Sequence, residues 1–180
     1  MTTLAACRIG STYALAADRR ISFGNEYAKL DRPKIRMVTP WLALGAVGGS
    51  DGTAWVRSLT VTAEPATQGE AQAALDAVGE TFRSWAKERG NDGASMLGVT
   101  PWGIVTLHAC GSADVLAAQV FGHGSGGTYA TGAMHARIDW PTFGSALDAR
   151  ECAVYGVAVA SRFDAGTGGT VDVLTIEAAP

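Results

Sequence analysis

Charged residues are scarce in this 180-residue sequence, at 17% of the chain against 47% for hydrophobic residues. This balance excludes a disordered chain and favours a protein that buries extra surface against copies of itself. The net charge is -3 and no cluster of lysine or arginine is present, so we expect no nucleic-acid partner. The length suits one domain spanning residues 1–180.

Cysteine is also rare, with three isolated residues, Cys7, Cys110 and Cys152. Such spacing is typical of reduced thiols in the cytoplasm and unlike a disulfide framework. The first residues lack the pattern of a signal peptide, and no apolar run is long enough to cross a bilayer. The three histidines show no spacing typical of metal ligands. We therefore expect a cytoplasmic protein without a metal site or a membrane segment.

Hydrophobic patterning predicts both strands and helices. The predicted strands cover 2–8, 12–18, 34–38, 41–48, 94–99, 102–109, 114–121 and 170–177. The predicted helices begin near residue 51 and cover 69–89, 125–137 and 144–163, the last with Cys152, Tyr155, Val159 and Phe163 on one face. This order differs from the alternation of a doubly wound fold. It predicts an α+β protein, a four-layer αββα sandwich of two antiparallel sheets between helix layers.

Thr2 is the first residue in the chain that could take part in catalysis. Threonine is small enough for the initiator Met1 to be removed ordinarily, which leaves a free α-amine beside the Thr2 hydroxyl. An α-amine with a pKa of about 8 is well matched to accept the hydroxyl proton near neutral pH. Taken alone, a threonine at this position is more often an ordinary terminus.

Three further features follow Thr2 at intervals. Asp18 ends the second predicted strand, Lys34 opens the third, and Gly48-Gly49 ends the fourth. A lysine near the hydroxyl would favour its alkoxide, an aspartate would keep that lysine charged, and a glycine N–H could stabilise an oxyanion. Singly, such residues are more often a surface ion pair and a turn.

Residues 122–127 (GHGSGG) also satisfy the G-x-G-x-x-G pattern of dinucleotide sites. The pattern lies late in the chain, and no parallel strand carries an acidic residue about 20 positions further on. A phosphate-binding loop with G-x-x-x-x-G-K-S/T is absent from the sequence. We regard the dinucleotide interpretation as weak.

Together these intervals resemble the proteasome β-subunit family, which includes HslV. The resemblance covers nearly the whole chain and needs no gap between Thr2 and Gly49. It rests on Thr2-Thr3, Asp18, the Ser22–Asn25 stretch, Lys34, Gly48-Gly49, Gly124–Gly127 and the Asp164–Gly169 segment. The resemblance implies roles for seven catalytic residues. Thr2 is nucleophile and base, Asp18 and Lys34 tune it, Gly48 forms the oxyanion hole, and Ser125, Asp164 and Thr167 orient the amine and a water.

The family also implies a threonine-type endopeptidase that needs no cofactor and assembles into homo-oligomeric rings, with protein or peptide as substrate and an ATP-dependent unfoldase as a plausible partner. By family position the pocket beside the cut bond is lined by Ile21, Arg32, Ala46 and Ser50. Two alternatives remain open. One is an amidase of the same fold that acts on a small molecule, and the other is a catalytically silent ring scaffold, favoured if Met1 persists.

Overall fold

The computed structural model describes residues 1–23, 26–48, 50–140 and 147–180. The strands are β1 (Thr3–Ile9), β2 (Thr12–Asp18), β3 (Arg20–Phe23), β4 (Glu26–Asp31), β5 (Ile35–Thr39), β6 (Leu42–Val47), β7 (Ser95–Thr100), β8 (Gly103–His108), β9 (Ala113–Leu116), β10 (Val120–Gly124) and β11 (Val171–Glu177). The helices are α1 (Ser50–Ser58), α2 (Gln68–Glu88), α3 (Gly127–Asp139) and α4 (Ala149–Phe163).

Two antiparallel sheets form the centre of the molecule. One has the strand order β10-β1-β2-β11 and the other has the order β5-β6-β7-β8-β9. The hairpin of β1 and β2 pairs Leu4 with Ala17 and Ile9 with Thr12. This register places the beginning of β1 beside the end of β2, inside a sheet that β10 extends on the other side.

Three apolar clusters hold the layers together. Successive side chains of a strand point to opposite faces, and β1 illustrates this: Leu4 contributes to the cluster between the two sheets, whereas Ala5 faces α3 and α4. The third cluster packs the second sheet against α1 and α2, with Phe82 at full burial. The predicted αββα sandwich is therefore confirmed.

The region predicted as one strand at 114–121 is two strands in different sheets. β9 pairs with β8 in the second sheet, and β10 pairs with β1 in the first. The apolar run continues through both strands because each buries residues. Hydropathy alone could not show where the chain leaves one sheet for the other.

The apolar face predicted for α4 is only partly buried, since Cys152 is buried and Val159 is half-buried but the other two residues are not. Tyr155 is 39% exposed and Phe163 is 64% exposed. A Cβ at Gly156 would lie 2.9 Å from the Cγ of Met134, so α3 and α4 approach each other closely through small residues. The buried face consists of Ala149, Cys152, Ala153, Gly156, Val157 and Ala160. Small side chains contribute little to hydrophobic periodicity, so the larger exposed residues determined the predicted face.

The hairpin of β3 and β4 was not predicted, although the two strands pair over Arg20–Phe23 and Glu26–Asp31. Residues Gly24, Asn25 and Gly49, which contribute to the family resemblance, lie outside the described residues. So do residues 141–146, of which 144–146 belong to the predicted last helix. In the described part of the chain, none of the helices combines the length and the hydropathy that a membrane span requires.

Candidate active site

Thr2 directly precedes β1 and is buried, with 7% of its surface exposed. The N–H of Ser125 donates to the Thr2 carbonyl oxygen at 3.1 Å. A Cβ at Gly124, where φ is +90°, would lie 1.9 Å from that oxygen, so glycine is required at this contact. The Thr2 hydroxyl donates to the Met1 carbonyl oxygen at 2.9 Å. The backbone of Thr2 is therefore held from the side of β10, and its hydroxyl faces the bond to Met1.

Lys34 is directed at the same place. Its Nζ donates to the Met1 carbonyl oxygen at 3.3 Å and to Asp18 Oδ1 at 2.9 Å. One carbonyl oxygen therefore accepts from both the Lys34 ammonium and the Thr2 hydroxyl. The structure brings Thr2, Asp18 and Lys34 together, and their catalytic roles stay a prediction.

The ion pair of Lys34 and Asp18 is buried, with 5% of the Lys34 side chain and none of the Asp18 side chain exposed. Burial lowers the pKa of Lys34 below its ordinary value, while the charge and hydrogen bond of Asp18 act in the opposite direction. Asp18 has further donors: the N–H of Thr3 at 2.9 Å on Oδ1, and those of Arg20 at 3.1 Å and Gly168 at 3.2 Å on Oδ2. Four donors thus compensate the buried carboxylate.

A second polar group forms around Asp164, at the C-terminal end of α4. Ser125 donates its hydroxyl to Asp164 Oδ2 at 2.6 Å, and Thr167 donates to the same oxygen. The N–H of Gly166 donates to Oδ1 at 3.2 Å. Burial alone would raise the pKa of Asp164, but these hydrogen bonds outweigh it and hold the pKa below its usual value. The structure therefore brings Ser125, Asp164 and Thr167 into one cluster.

Gly48 follows β6 with φ at +107°, a conformation that strongly favours glycine. A Cβ there would also lie 3.1 Å from the Cα of Ala94. The neighbouring Val47 side chain lies 3.5 Å from the position of a Cβ at Gly124, which itself contacts Thr2. The end of β6 is thus next to the Thr2 backbone, and the role of the Gly48 N–H stays a prediction.

The sequence matches no protein-family model and no curated protein. Its fold, in contrast, matches solved structures over nearly the full chain. BPH from Thiobacillus denitrificans in complex with epoxomicin is 23% identical with a TM-score of 0.81, covering 99% of this chain and 100% of that one. A second structure of BPH is 23% identical with a TM-score of 0.80 and 99% coverage of both chains. Eukaryotic HslV from Trypanosoma brucei is 22% identical with a TM-score of 0.75, covering 97% and 99%.

This chain has the N-terminal-nucleophile hydrolase fold of HslV and BPH. The resemblance predicted from the sequence is confirmed at the level of the fold. In this fold, Thr2 lies directly before β1 and close to the ends of β2 and β6.

The four residues predicted to line the substrate pocket occupy different environments. Ile21 is half-buried on β3, and Arg32 is exposed just after β4. Ala46 is buried, and its Cβ would lie 3.0 Å from a Cβ placed at Gly52 of α1. Ser50 begins α1, and its side chain lies outside the described residues. Their grouping into one pocket stays a prediction.

The sequence predicts no catalytic role for Thr3, Arg20 or Gly124, although all three contact the site. Arg20 donates from Nη1 to the carbonyl oxygen of Ala165 at 3.0 Å, which ties β3 to the segment that carries Asp164. The hairpin register offered a signal for Thr3, since pairing of Leu4 with Ala17 places Thr3 beside Asp18.

Proposed function

We propose that this protein is a threonine-type endopeptidase subunit of a cytoplasmic, self-compartmentalising ring protease, with Thr2 as its N-terminal residue after removal of Met1. The observation that carries the proposal is the convergence of the buried Lys34 ammonium and the Thr2 hydroxyl on the Met1 carbonyl oxygen. Once Met1 is removed, that acceptor leaves with it. The hydroxyl, the new α-amine and the lysine then share one small space.

The first step is attack by Thr2. The α-amine accepts the hydroxyl proton while Oγ1 bonds to the carbonyl carbon of the substrate. The Lys34 ammonium stabilises the developing negative charge on Oγ1, and Asp18 orients that ammonium. The peptide C–N bond then breaks, and the leaving amine takes the proton from the Thr2 ammonium.

The second step regenerates the enzyme. A water gives a proton to the Thr2 amine and attacks the ester carbon, after which the bond to Oγ1 breaks and the hydroxyl recovers its proton. We assign stabilisation of the substrate oxyanion to the Gly48 N–H, because Gly48 is exposed at the end of β6, close to the Thr2 backbone. Ser125, Asp164 and Thr167 orient the amine and this water, and no cofactor takes part.

The assembly belongs to the same proposal. The hydrophobic composition and the similarity to HslV and BPH support homo-oligomeric rings that enclose the Thr2 sites, with an ATP-dependent unfoldase supplying unfolded chains. Ile21, Arg32, Ala46 and Ser50 are the proposed pocket for the substrate residue before the cut bond. A panel of fluorogenic peptides with different residues at that position tests this assignment.

Intact mass spectrometry with epoxomicin tests the activity, because BPH has been solved in complex with that compound. We expect the purified chain to lack Met1, to gain the mass of one epoxomicin, and to lose cleavage of fluorescein-labelled casein. Thr2→Ala should show neither adduct nor cleavage, whereas Thr60→Ala, which alters an exposed threonine, should behave as wild type.

Two results would contradict the proposal. Retention of Met1 on every chain would leave the Thr2 nitrogen acylated and unable to act as a base. An equal epoxomicin adduct on Thr2→Ala would place the reactive nucleophile elsewhere.

A further inference from the structure

Thr3 joins the two polar groups of the site. Its N–H donates to Asp18 Oδ1 at 2.9 Å, and its hydroxyl oxygen accepts the N–H of Gly126 at 3.0 Å. The same hydroxyl is hydrogen-bonded to the hydroxyl of Thr167. The side chain of Thr3 is completely buried, so water does not compete for these contacts. One residue thus contacts both the ion pair of β2 and the cluster around Asp164.

The number of hydroxyl protons fixes which group donates in each of these hydrogen bonds. Thr167 has one hydroxyl proton, and it is donated to Asp164 Oδ2. Thr167 must therefore accept in its bond with Thr3, and Thr3 must donate. The free lone pairs of Thr3 accept from Gly126. The order is Gly126 N–H to Thr3, Thr3 to Thr167, and Thr167 to Asp164, so each hydroxyl both accepts and donates.

The close packing around Gly126 supports the same order of hydrogen bonds. A Cβ at Gly126 would lie 2.4 Å from Thr3 Oγ1 and 2.9 Å from Thr167 Oγ1. Any larger residue would displace one of the two hydroxyls. The backbone before α3 therefore comes close enough to orient the Thr3 hydroxyl, and Ser125, the next residue back, donates to Asp164.

We propose that Thr3 is a positioning residue of the hydrolase, and this inference rests on the function proposed above. Its hydroxyl holds Thr167 and Gly126 in place, and through them it sets the position of Asp164 and Ser125 relative to the Thr2 amine. Thr3 touches neither substrate nor the reacting atoms. It acts on the rate by fixing the distance between the N-terminal strand and the Asp164 cluster.

Serine and alanine at this position form a matched pair. They differ by one hydroxyl group, and both are smaller than threonine, so neither overpacks the site. Thr3→Ser should retain kcat within about 3-fold, whereas Thr3→Ala should lose about 10- to 100-fold in kcat with little change in KM. Thr3→Val keeps the shape of threonine without the hydroxyl and should resemble Thr3→Ala. Thr106→Val removes a buried strand hydroxyl outside the site and should leave kcat unchanged.

The amide hydrogen exchange of Gly126 supplies a second measurement that does not depend on activity. Its exchange should accelerate in Thr3→Ala, which lacks the acceptor, and stay slow in Thr3→Ser. Equal kcat in the serine and alanine variants, or a loss confined to KM, overturns the inference, and so does unchanged exchange of Gly126 in Thr3→Ala. A wild type that lacks Met1 but has no peptidase activity contradicts the proposed function instead, while the exchange measurement still decides whether Thr3 makes this contact.

Discussion

Replacement of Lys34 by methionine tests the buried ion pair most directly. Removing one partner of a buried pair costs about 3–5 kcal/mol, because the other charge stays buried without its counterion. Asp18 keeps three backbone N–H donors in this variant, so we expect the lower end of that range, about 3 kcal/mol. For a chain of this length, that loss corresponds to a fall in Tm of about 6–12 °C. Peptidase activity should fall at least about 100-fold, since the ammonium beside Oγ1 is gone.

Arg83→Met is the matched control. Arg83 and Glu80 form an ion pair on α2 with side chains 55% and 58% exposed. An exposed pair contributes about 0–1 kcal/mol, so the control should change Tm by no more than about 4 °C. Thermal unfolding of both variants at one protein concentration measures the difference. If Lys34→Met lowers Tm no further than Arg83→Met does, the pair is not enclosed as described and the argument for an oriented lysine fails.

Three other predictions follow from the contacts around the site. Gly124→Ala should lower the free energy of unfolding by at least about 2 kcal/mol in urea titrations and abolish peptidase activity, because its Cβ would clash with the Thr2 carbonyl and its φ is positive. Because the folded-state pKa of Asp164 is lowered, the stability it contributes is present above the ordinary aspartate pKa and is lost as pH falls through the folded value. The urea midpoints of wild type and Asp164→Asn should therefore converge as pH falls from about 6 to about 3, and a constant difference would contradict this. Phe82→Ala should cost about 3–5 kcal/mol in the same titration by leaving a cavity between α2 and the second sheet, and a cost below about 1 kcal/mol would show that the site collapses.

The sequence allowed prediction of the site wherever residues lie on one hairpin or at the end of a strand. The apolar runs of β1 and β2 enclose a short turn, so their register follows, and Asp18 necessarily falls near the N-terminus. Lys34 directly precedes β5, the first strand of the five-stranded sheet, and its contact with Met1 depends on how the two large sheets pack. The spacing alone gave no distance for it, and the family resemblance supplied the expectation.

Other features depend on long-range packing and could not be predicted. The separation of β9 from β10 depends on which sheet accepts each strand, since both segments are apolar. The buried face of α4 is formed by Gly156 and other small residues. They allow α3 and α4 to pack closely but add little hydropathy to the sequence pattern. The hydroxyl chain of Thr3 and Thr167 joins residues 164 positions apart, a separation that local patterns do not reach.

The position of β1 between β10 and β2 also sets the order of events during synthesis. A ribosome releases the amino end first, yet β1 finds its second neighbour only after Gly124 has emerged, and the sheet is complete only when β11 follows β2. More than half of the chain is therefore translated before the residues that contact Thr2 are available to the hairpin of β1 and β2. For the proposed peptidase, this order means that the site around Thr2 is assembled only after most of the chain has been synthesised, although Thr2 is made first.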